Sequence, residues 1–141
     1  MDFETVSAED FGRSLTGVGI NLLTRDVRGL CAFLETVFDA GIHRLSDDFA
    51  IVTCGDAILQ IHADGTYHSH PLLSLLPENP PRGAGVQFYL FHIDPDSAEN
   101  RAREAGFDVL ERSANKPHGL RECTILSPEG YAFSPAIRST T

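Results

Sequence analysis

The chain has 141 residues, enough for one domain with a real hydrophobic core, and 42% of them are hydrophobic. Its formal net charge is −9, and the absence of a basic patch with interleaved aromatic residues argues against a nucleic-acid partner. No apolar run approaches membrane-spanning length, and the N-terminal residues are acidic where a signal peptide would be basic. We therefore expect a cytoplasmic protein with no membrane contact.

The chain carries three cysteines, an odd number at wide spacings. This distribution argues against a disulfide framework and against a zinc site built on closely spaced cysteines. Cys31, Cys54 and Cys123 each stand in an apolar, periodic segment. We therefore expect three small buried side chains.

The first half of the chain predicts an N-terminal arm, then a strand, a helix and three more strands. A helical turn of the arm begins at Ser7. A strand is predicted over 17–24 and a helix over about 26–39, because apolar residues recur there at three- and four-residue steps. Short strands follow at 42–46, 49–54 and 57–63, separated by turn-forming residues.

The second half repeats this order. A strand is predicted over 85–93, followed by a helix whose N-cap is Asp96 or Ser97. Strands follow at 107–112, 121–126 and 131–136. The expected units of this single domain are the arm at 1–16, βαβββ modules at 17–64 and 83–137, and a connection at 65–82.

Several segments of this repeat resemble the vicinal oxygen chelate superfamily of glyoxalases, bleomycin resistance proteins and extradiol dioxygenases. They are GVGINLLTRDVRGLCAFLETVF in the first module, and GVQFYLFHIDPDSAENRAREAG and KPHGLRECTILSPEGYAF in the second. The most specific piece is the run G-L-R-E-x-x-x-L-x-P-x-G-Y. The resemblance implies an α+β fold in which two βαβββ modules form a curled half-barrel sheet around a cavity, commonly as a homodimer.

The resemblance also implies where a divalent metal would bind. The four ligand positions of metal-dependent members fall on Gly19 (with Asn21 two residues later), Gln60, Gln87 and Ser134. Glycine offers no donor, and serine and neutral amides are weak ligands for the metals that prefer imidazole, carboxylate or thiolate. We therefore expect neither a metal nor another cofactor.

The same strand matching predicts the residues of a ligand pocket. Alternating positions on the strands would place amides, an imidazole and aromatic rings on one floor, with His118 at the mouth. Tyr89 and Phe91 are equally compatible with an ordinary core, and His118 with either stacking on a flat ligand or facing water. The predicted ligand-binding residues are Gln60, His62, Gln87, Tyr89, Phe91, His118 and Ser134.

The histidines in AILQIHADGTYHSH leave several roles open. His62 shares a strand face with Gln60, so a structural role, a substrate-contacting or acid–base role and a metal-ligand role all stay possible. His68 and His70 form an H-x-H in the connection, which is a weak metal signal without a third ligand at known spacing.

Two further features have alternative interpretations. The connection at 65–82 is long and rich in proline and leucine, so it could roof the cavity, contact a second subunit or pack as a plain linker. For the adjacent Arg121 and Glu122, a structural ion pair is favoured over ligand contact.

Two functions follow from these residues. The first is metal-independent binding of a small aromatic or cationic molecule by a homodimer. The alternative is an enzyme of the same superfamily. It would be a metal-dependent lyase, isomerase or dioxygenase with a non-standard ligand set that includes His62 and Gln87, or a metal-free acid–base catalyst using His62 or Tyr89. The sequence alone does not decide whether the protein is an enzyme.

Overall fold

The computed structural model describes residues 1–140, which form two four-stranded sheets, each crossed by a helix. The first unit contains α1 (Ala8–Ser14), β1 (Ile20–Thr24), α2 (Val27–Phe38), β2 (Gly41–His43), β3 (Phe49–Cys54) and β4 (Ala57–Ala63). The second contains β5 (Gln87–Phe91), α3 (Pro95–Ala105), β6 (Asp108–Asn115), β7 (Leu120–Leu126) and β8 (Ala132–Arg138). The predicted βαβββ order is confirmed in both halves.

The two sheets have equivalent topology. Their strand orders are β1-β4-β3-β2 and β5-β8-β7-β6, and in each the first and last strands of the unit pair in parallel. The other neighbours are antiparallel. Short 3₁₀ turns at Asp64–Tyr67 and Pro71–Leu75 lie in the connection between the units.

The helix ends follow from local side-chain chemistry. Asp26 caps α2 by accepting a hydrogen bond from the Gly29 amide at 2.9 Å, as the sequence predicts. The predicted cap of α3 was wrong, because Asp94 takes that place and accepts from the Ser97 amide at 3.3 Å. Pro95 occupies the first helical position, where a missing N–H costs nothing, and this moves the helix start ahead of Asp96.

The hydrophobic core lies between the two sheets and contains both long helices. α2 packs on strands of the first sheet, α3 packs on strands of the second, and the helices contact each other. The Phe33 ring on α2 lies 4.8 Å from that of Phe107 and 5.9 Å from that of Phe133. Because the helix-bearing faces share this one core, the opposite faces of the two sheets point away from each other.

The three cysteines are buried and free, as predicted. Burial raises the pKa of the Cys31, Cys54 and Cys123 thiols to about 11. They therefore stay protonated at neutral pH and act as small apolar side chains. Among residues 1–140, no helix is long and apolar enough to cross a lipid bilayer.

A buried arginine fastens the connection to both units. The Arg82 guanidinium donates to the two carboxylate oxygens of Asp64 at 2.7 and 2.8 Å, and lies 3.9 Å from a Glu129 oxygen. The Arg82 side chain is only 4% exposed. Glu129 in turn accepts from the Arg25 amide at 3.0 Å, so the cluster joins the end of β1 to the turn before β8.

Arg82→Met should lower the free energy of unfolding by about 3 kcal/mol at neutral pH, because it leaves partly buried carboxylates without their cation. The hydrogen bonds from Arg82 lower the pKa of Asp64. The stabilisation from the ionised Asp64 is therefore complete above about pH 4 and is lost as the pH falls through its folded-state pKa. In urea denaturation, the difference in the free energy of unfolding between Arg82→Met and the wild type should become smaller as the pH is lowered.

The matched control is Arg28→Met, which breaks the exposed Arg28–Asp47 pair. Exposed pairs contribute about 0–1 kcal/mol, so this variant should unfold close to the wild type. Equal losses for Arg82→Met and Arg28→Met would contradict the role given to the buried cluster.

Candidate functional site

The face of the second sheet that points away from the helices is open. Strand alternation places Gln87, Tyr89 and Phe91 of β5 on this face, as predicted, beside Ser134 of β8. The Phe91 side chain is 56% exposed. We call this surface the open face. Its further members are Glu122 and Thr124 of β7, Ala132 of β8 and His118 of the β6–β7 turn.

Two aromatic rings on the open face form a flat platform. The Tyr89 and Phe91 rings are stacked, with centroids 5.4 Å apart and an interplanar angle of 3°. Both side chains are at least partly accessible, so the core interpretation of these two residues does not apply. Aromatic surface that is flat and accessible suits a planar ligand.

A carboxylate lies next to the platform. Glu122 is 5% exposed and accepts a hydrogen bond from the Tyr89 hydroxyl at 2.8 Å. Its other oxygen lies 2.5 Å from Nε2 of His118. The hydrogen bond to Glu122 is the largest cause of the raised pKa of Tyr89. The three side chains therefore form one connected chain of hydrogen bonds that ends at the exposed imidazole.

Sequence reasoning missed Glu122 by treating it together with Arg121. Arg121 does form a structural ion pair, donating to both Asp96 oxygens at 2.8 Å. Adjacent strand residues point to opposite faces, so Arg121 reaches α3 while Glu122 reaches the open face. This alternation is the sequence signal that could have assigned Glu122 to a different face from Arg121.

A second polar group on the open face involves three neutral side chains. The Gln87 amide donates to the Ser134 hydroxyl at 2.8 Å, and the hydroxyls of Ser134 and Thr124 are 2.7 Å apart. Ser134 is fully buried. The hydrogen-bonding capacity of these three side chains is therefore satisfied largely by one another.

The corresponding face of the first sheet is covered by the chain itself. The arm helix α1 lies on it through Phe11, which is 7% exposed. Ile51 on the same face is 1% exposed and lies opposite the arm helix. The connection covers a further part of this face, because Tyr67 packs on His62 and accepts from Asn21 at 2.9 Å.

Structural comparison identifies the fold. No protein-family model and no curated protein matches this sequence. A glyoxalase/bleomycin resistance protein/dioxygenase family enzyme from Burkholderia phytofirmans PsJN superposes with a TM-score of 0.69 at 19% identity, covering 85% of this chain and 96% of that chain. A glyoxalase/bleomycin resistance protein/dioxygenase from Nocardioides gives 0.65 at 19% identity, covering 94% and 92%. The chain has the vicinal oxygen chelate fold.

This result confirms the fold that the sequence resemblance implies. A lactoylglutathione lyase from Agrobacterium tumefaciens also matches. That structure has a TM-score of 0.61 and 18% identity, with coverage of 87% of this chain and 94% of its own. Because one fold can support unrelated chemistry, the activity has to be argued from the side chains.

The metal positions of the vicinal oxygen chelate fold do not fit a divalent cation in this chain. Gly19 has no side chain, Gln60 is a neutral amide, and Gln87 and Ser134 are bonded to each other. In the part of the chain that the structure describes, no three His, Cys, Asp or Glu side chains come together to form a possible metal site. This donor set provides no anion to offset dehydration of a dication.

The structure divides the predicted ligand residues between the two sheets. Gln87, Tyr89, Phe91, Ser134 and His118 lie together on the open face. Gln60 and His62 lie on the covered face of the first sheet, which points the other way. A single chain therefore does not gather all of them on one pocket floor.

The remaining histidines of the connection have local contacts. His70 Nδ1 accepts from the Leu72 amide at 3.0 Å and its ring lies 5.2 Å from that of Tyr67. His68 is exposed and has a φ of 47°. The first turn of the connection packs on the first sheet and so forms part of a roof over it. Further along the connection, Leu75 is 77% exposed and does not take part in this roof.

His62 is packed between two rings without a partner for one nitrogen. Its ring lies 5.0 Å from Phe49 and 5.4 Å from Tyr67, and Nε2 is buried with no hydrogen-bond partner among residues 1–140. Burial lowers the pKa of His62. The structural role is therefore the one that its surroundings favour.

His62→Phe should remove a pH-dependent loss of stability. With its folded-state pKa depressed, His62 has no proton-linked cost above about pH 6.5, but it destabilises the fold as the pH falls below that value and the unfolded chain takes up a proton. The variant should gain about 1 kcal/mol at any pH, because an unpaired buried nitrogen is removed, and its advantage over the wild type should grow in mild acid. Urea denaturation across this pH range measures the effect.

The control for this prediction is His92→Asn, which removes an exposed imidazole at a φ of 67° that asparagine tolerates. It should leave the pH dependence of stability unchanged. A wild-type pH profile that persists in His62→Phe would show that His62 is not the group responsible.

Proposed function

We propose that this protein binds a small aromatic or cationic molecule on the open face of the second sheet, without a metal. The observation that carries the proposal is the stacked Tyr89–Phe91 platform beside the Glu122 carboxylate. A molecule that is both flat and cationic would use both features. Its ring would stack on Phe91 and its charge would lie near Glu122.

The electrostatics of the site support this ligand class. A cation over an aromatic face gains about 0.5–2 kcal/mol, depending on how far it is desolvated. Glu122 is almost fully buried, so water screens its charge less than it screens a surface carboxylate. The net charge of −9 would speed capture of a cation more than it would tighten binding.

We propose in addition that the protein is a homodimer. The open face is only one wall of a binding site, and apolar side chains on and beside it are unusually exposed: Val86 by 50%, Phe91 by 56% and Leu110 by 66%. A second copy would supply the missing wall. Size determination over a concentration series should give twice the mass of one chain, and a one-chain mass throughout would exclude the dimer.

Acid–base chemistry is a second candidate function, favoured by one observation. The chain Tyr89–Glu122–His118 links an accessible phenol to an exposed imidazole through a carboxylate. Such a chain could move a proton to or from a bound ligand. Any bound ligand should be analysed after prolonged incubation with the protein. Conversion to a product would indicate an enzyme, and recovery of the unchanged ligand would indicate a binding protein.

The binding proposal is tested by calorimetric titration of three matched probes. N-methylquinolinium is flat and cationic, quinoline is flat and neutral at neutral pH, and tetramethylammonium is cationic without a ring. The first should bind at least about tenfold more tightly than either of the others, because only it uses both features. Phe91→Ala should weaken its binding, whereas Leu75→Ala, which truncates an exposed side chain of the connection, should not.

Equal affinity of Phe91→Ala and the wild type for N-methylquinolinium would overturn the proposed site. Failure of all three probes to bind would overturn the ligand class.

A further inference from the structure

The N-terminal arm and the first sheet form a partly open cavity between them. The cavity has a volume of about 310 Å³ and lies between α1 and strands β3 and β4. Small-molecule sites begin at about this size. Its lining residues are Ala8, Phe11, Gly12, Leu15, Arg44, Phe49, Ile51 and Gln60.

The lining is mostly apolar, and its two polar side chains are Arg44 and Gln60. The Arg44 guanidinium donates through Nε to the Phe3 carbonyl at 2.7 Å and through Nη2 to the Val6 carbonyl, so both of these nitrogens bind the arm. The Gln60 side chain, by contrast, makes no hydrogen bond to any residue from 1 to 140. An apolar wall with one unused amide suits an apolar molecule that carries a single hydrogen-bonding group.

The arm is fastened at one end and lightly packed elsewhere. The Arg44 amide donates to Glu4 at 3.0 Å, and the Phe3 ring lies 5.4 Å from the His43 ring. Within α1 itself only Phe11 is buried. Segments with few buried contacts open at low free-energy cost, which gives a ligand a way in.

We propose that this cavity is a second binding site, for a small aromatic molecule with one hydroxyl or carbonyl group, and that the arm is its lid. The ring system lies among Phe11, Phe49 and Ile51, and the polar group bonds the Gln60 amide. The site shares no residue with the open face and lies on the opposite side of the chain. It therefore goes beyond the proposed function, and either site can fail without the other.

Gly12 offers a direct test, because a Cβ built there meets no atom within 4 Å. A leucine at this position would extend into the cavity. In the full-length protein, Gly12→Leu should weaken binding of 2-naphthol at least about tenfold. It should also raise the thermal stability, since leucine is a better helix former than glycine, so the lost binding cannot be attributed to unfolding.

Two further variants make the result specific. Arg13→Leu makes a similar change on the same helix at a residue whose side chain is 77% exposed, and it should bind 2-naphthol as the wild type does. Gln60→Leu should weaken binding of 2-naphthol more than that of naphthalene, because only 2-naphthol can use the amide. N-methylquinolinium should bind Gly12→Leu unchanged.

Wild-type affinity of Gly12→Leu for 2-naphthol would overturn the proposal. So would the absence of 2-naphthol binding to the wild type, whatever the result for N-methylquinolinium.

Discussion

Phe33→Ala should lower the free energy of unfolding by about 4 kcal/mol. Phe33 is fully buried on α2, and its ring contacts those of Phe38, Phe107 and Phe133 at centroid distances of 5.6, 4.8 and 5.9 Å. Two of these partners belong to the second unit. The cavity left by the alanine would therefore weaken the contact that makes one core of the two units, and the loss would be a large part of a typical domain's stability.

Urea denaturation followed by far-UV and near-UV circular dichroism measures this loss. Phe91→Ala is the matched control, since it removes the same ring from a side chain that is 56% exposed, and it should cost less than about 1 kcal/mol. Similar losses for the two variants would contradict the position of the core between the sheets.

Glu122→Gln should weaken the binding of N-methylquinolinium about tenfold, which corresponds to about 1.4 kcal/mol. The amide keeps the shape of the carboxylate and can still accept from the Tyr89 hydroxyl, but it removes the negative charge beside the platform. Binding of the neutral quinoline should change little. Calorimetric titration of both probes separates the effect of charge from the effect of shape.

Glu104→Gln is the control for this charge change, because Glu104 is an exposed residue of α3 and lies outside the open face. Its affinity for N-methylquinolinium should equal that of the wild type. If Glu122→Gln also bound the cation as the wild type does, the carboxylate would have no part in recognition.

The order of elements and the faces of single strands could be predicted from the sequence. Strand alternation predicts that Gln87, Tyr89 and Phe91 share one side of their strand and that Gln60 and His62 share one side of theirs, and both pairings are confirmed. The prediction that all five line one pocket floor was wrong. Apolar periodicity likewise located α2.

The relative placement of the two sheets could not be predicted in this way. Periodicity assigns a side chain to one side of its own sheet, but it does not say which sides of two sheets pack together. Here α2 and α3 share one core, so the faces with Gln60 and Gln87 point apart. The path of α1 over the first sheet depends on distant contacts of Arg44 and Phe3, which leave no local pattern.

The most direct test of a metal-free site is the metal content of the protein, purified without chelator or affinity tag, combined with N-methylquinolinium titration before and after EDTA treatment. Neutral side chains at the metal positions predict far less than one divalent ion per chain and the same Kd in both titrations. One ion per chain, with binding abolished by EDTA and restored by that ion, would contradict it.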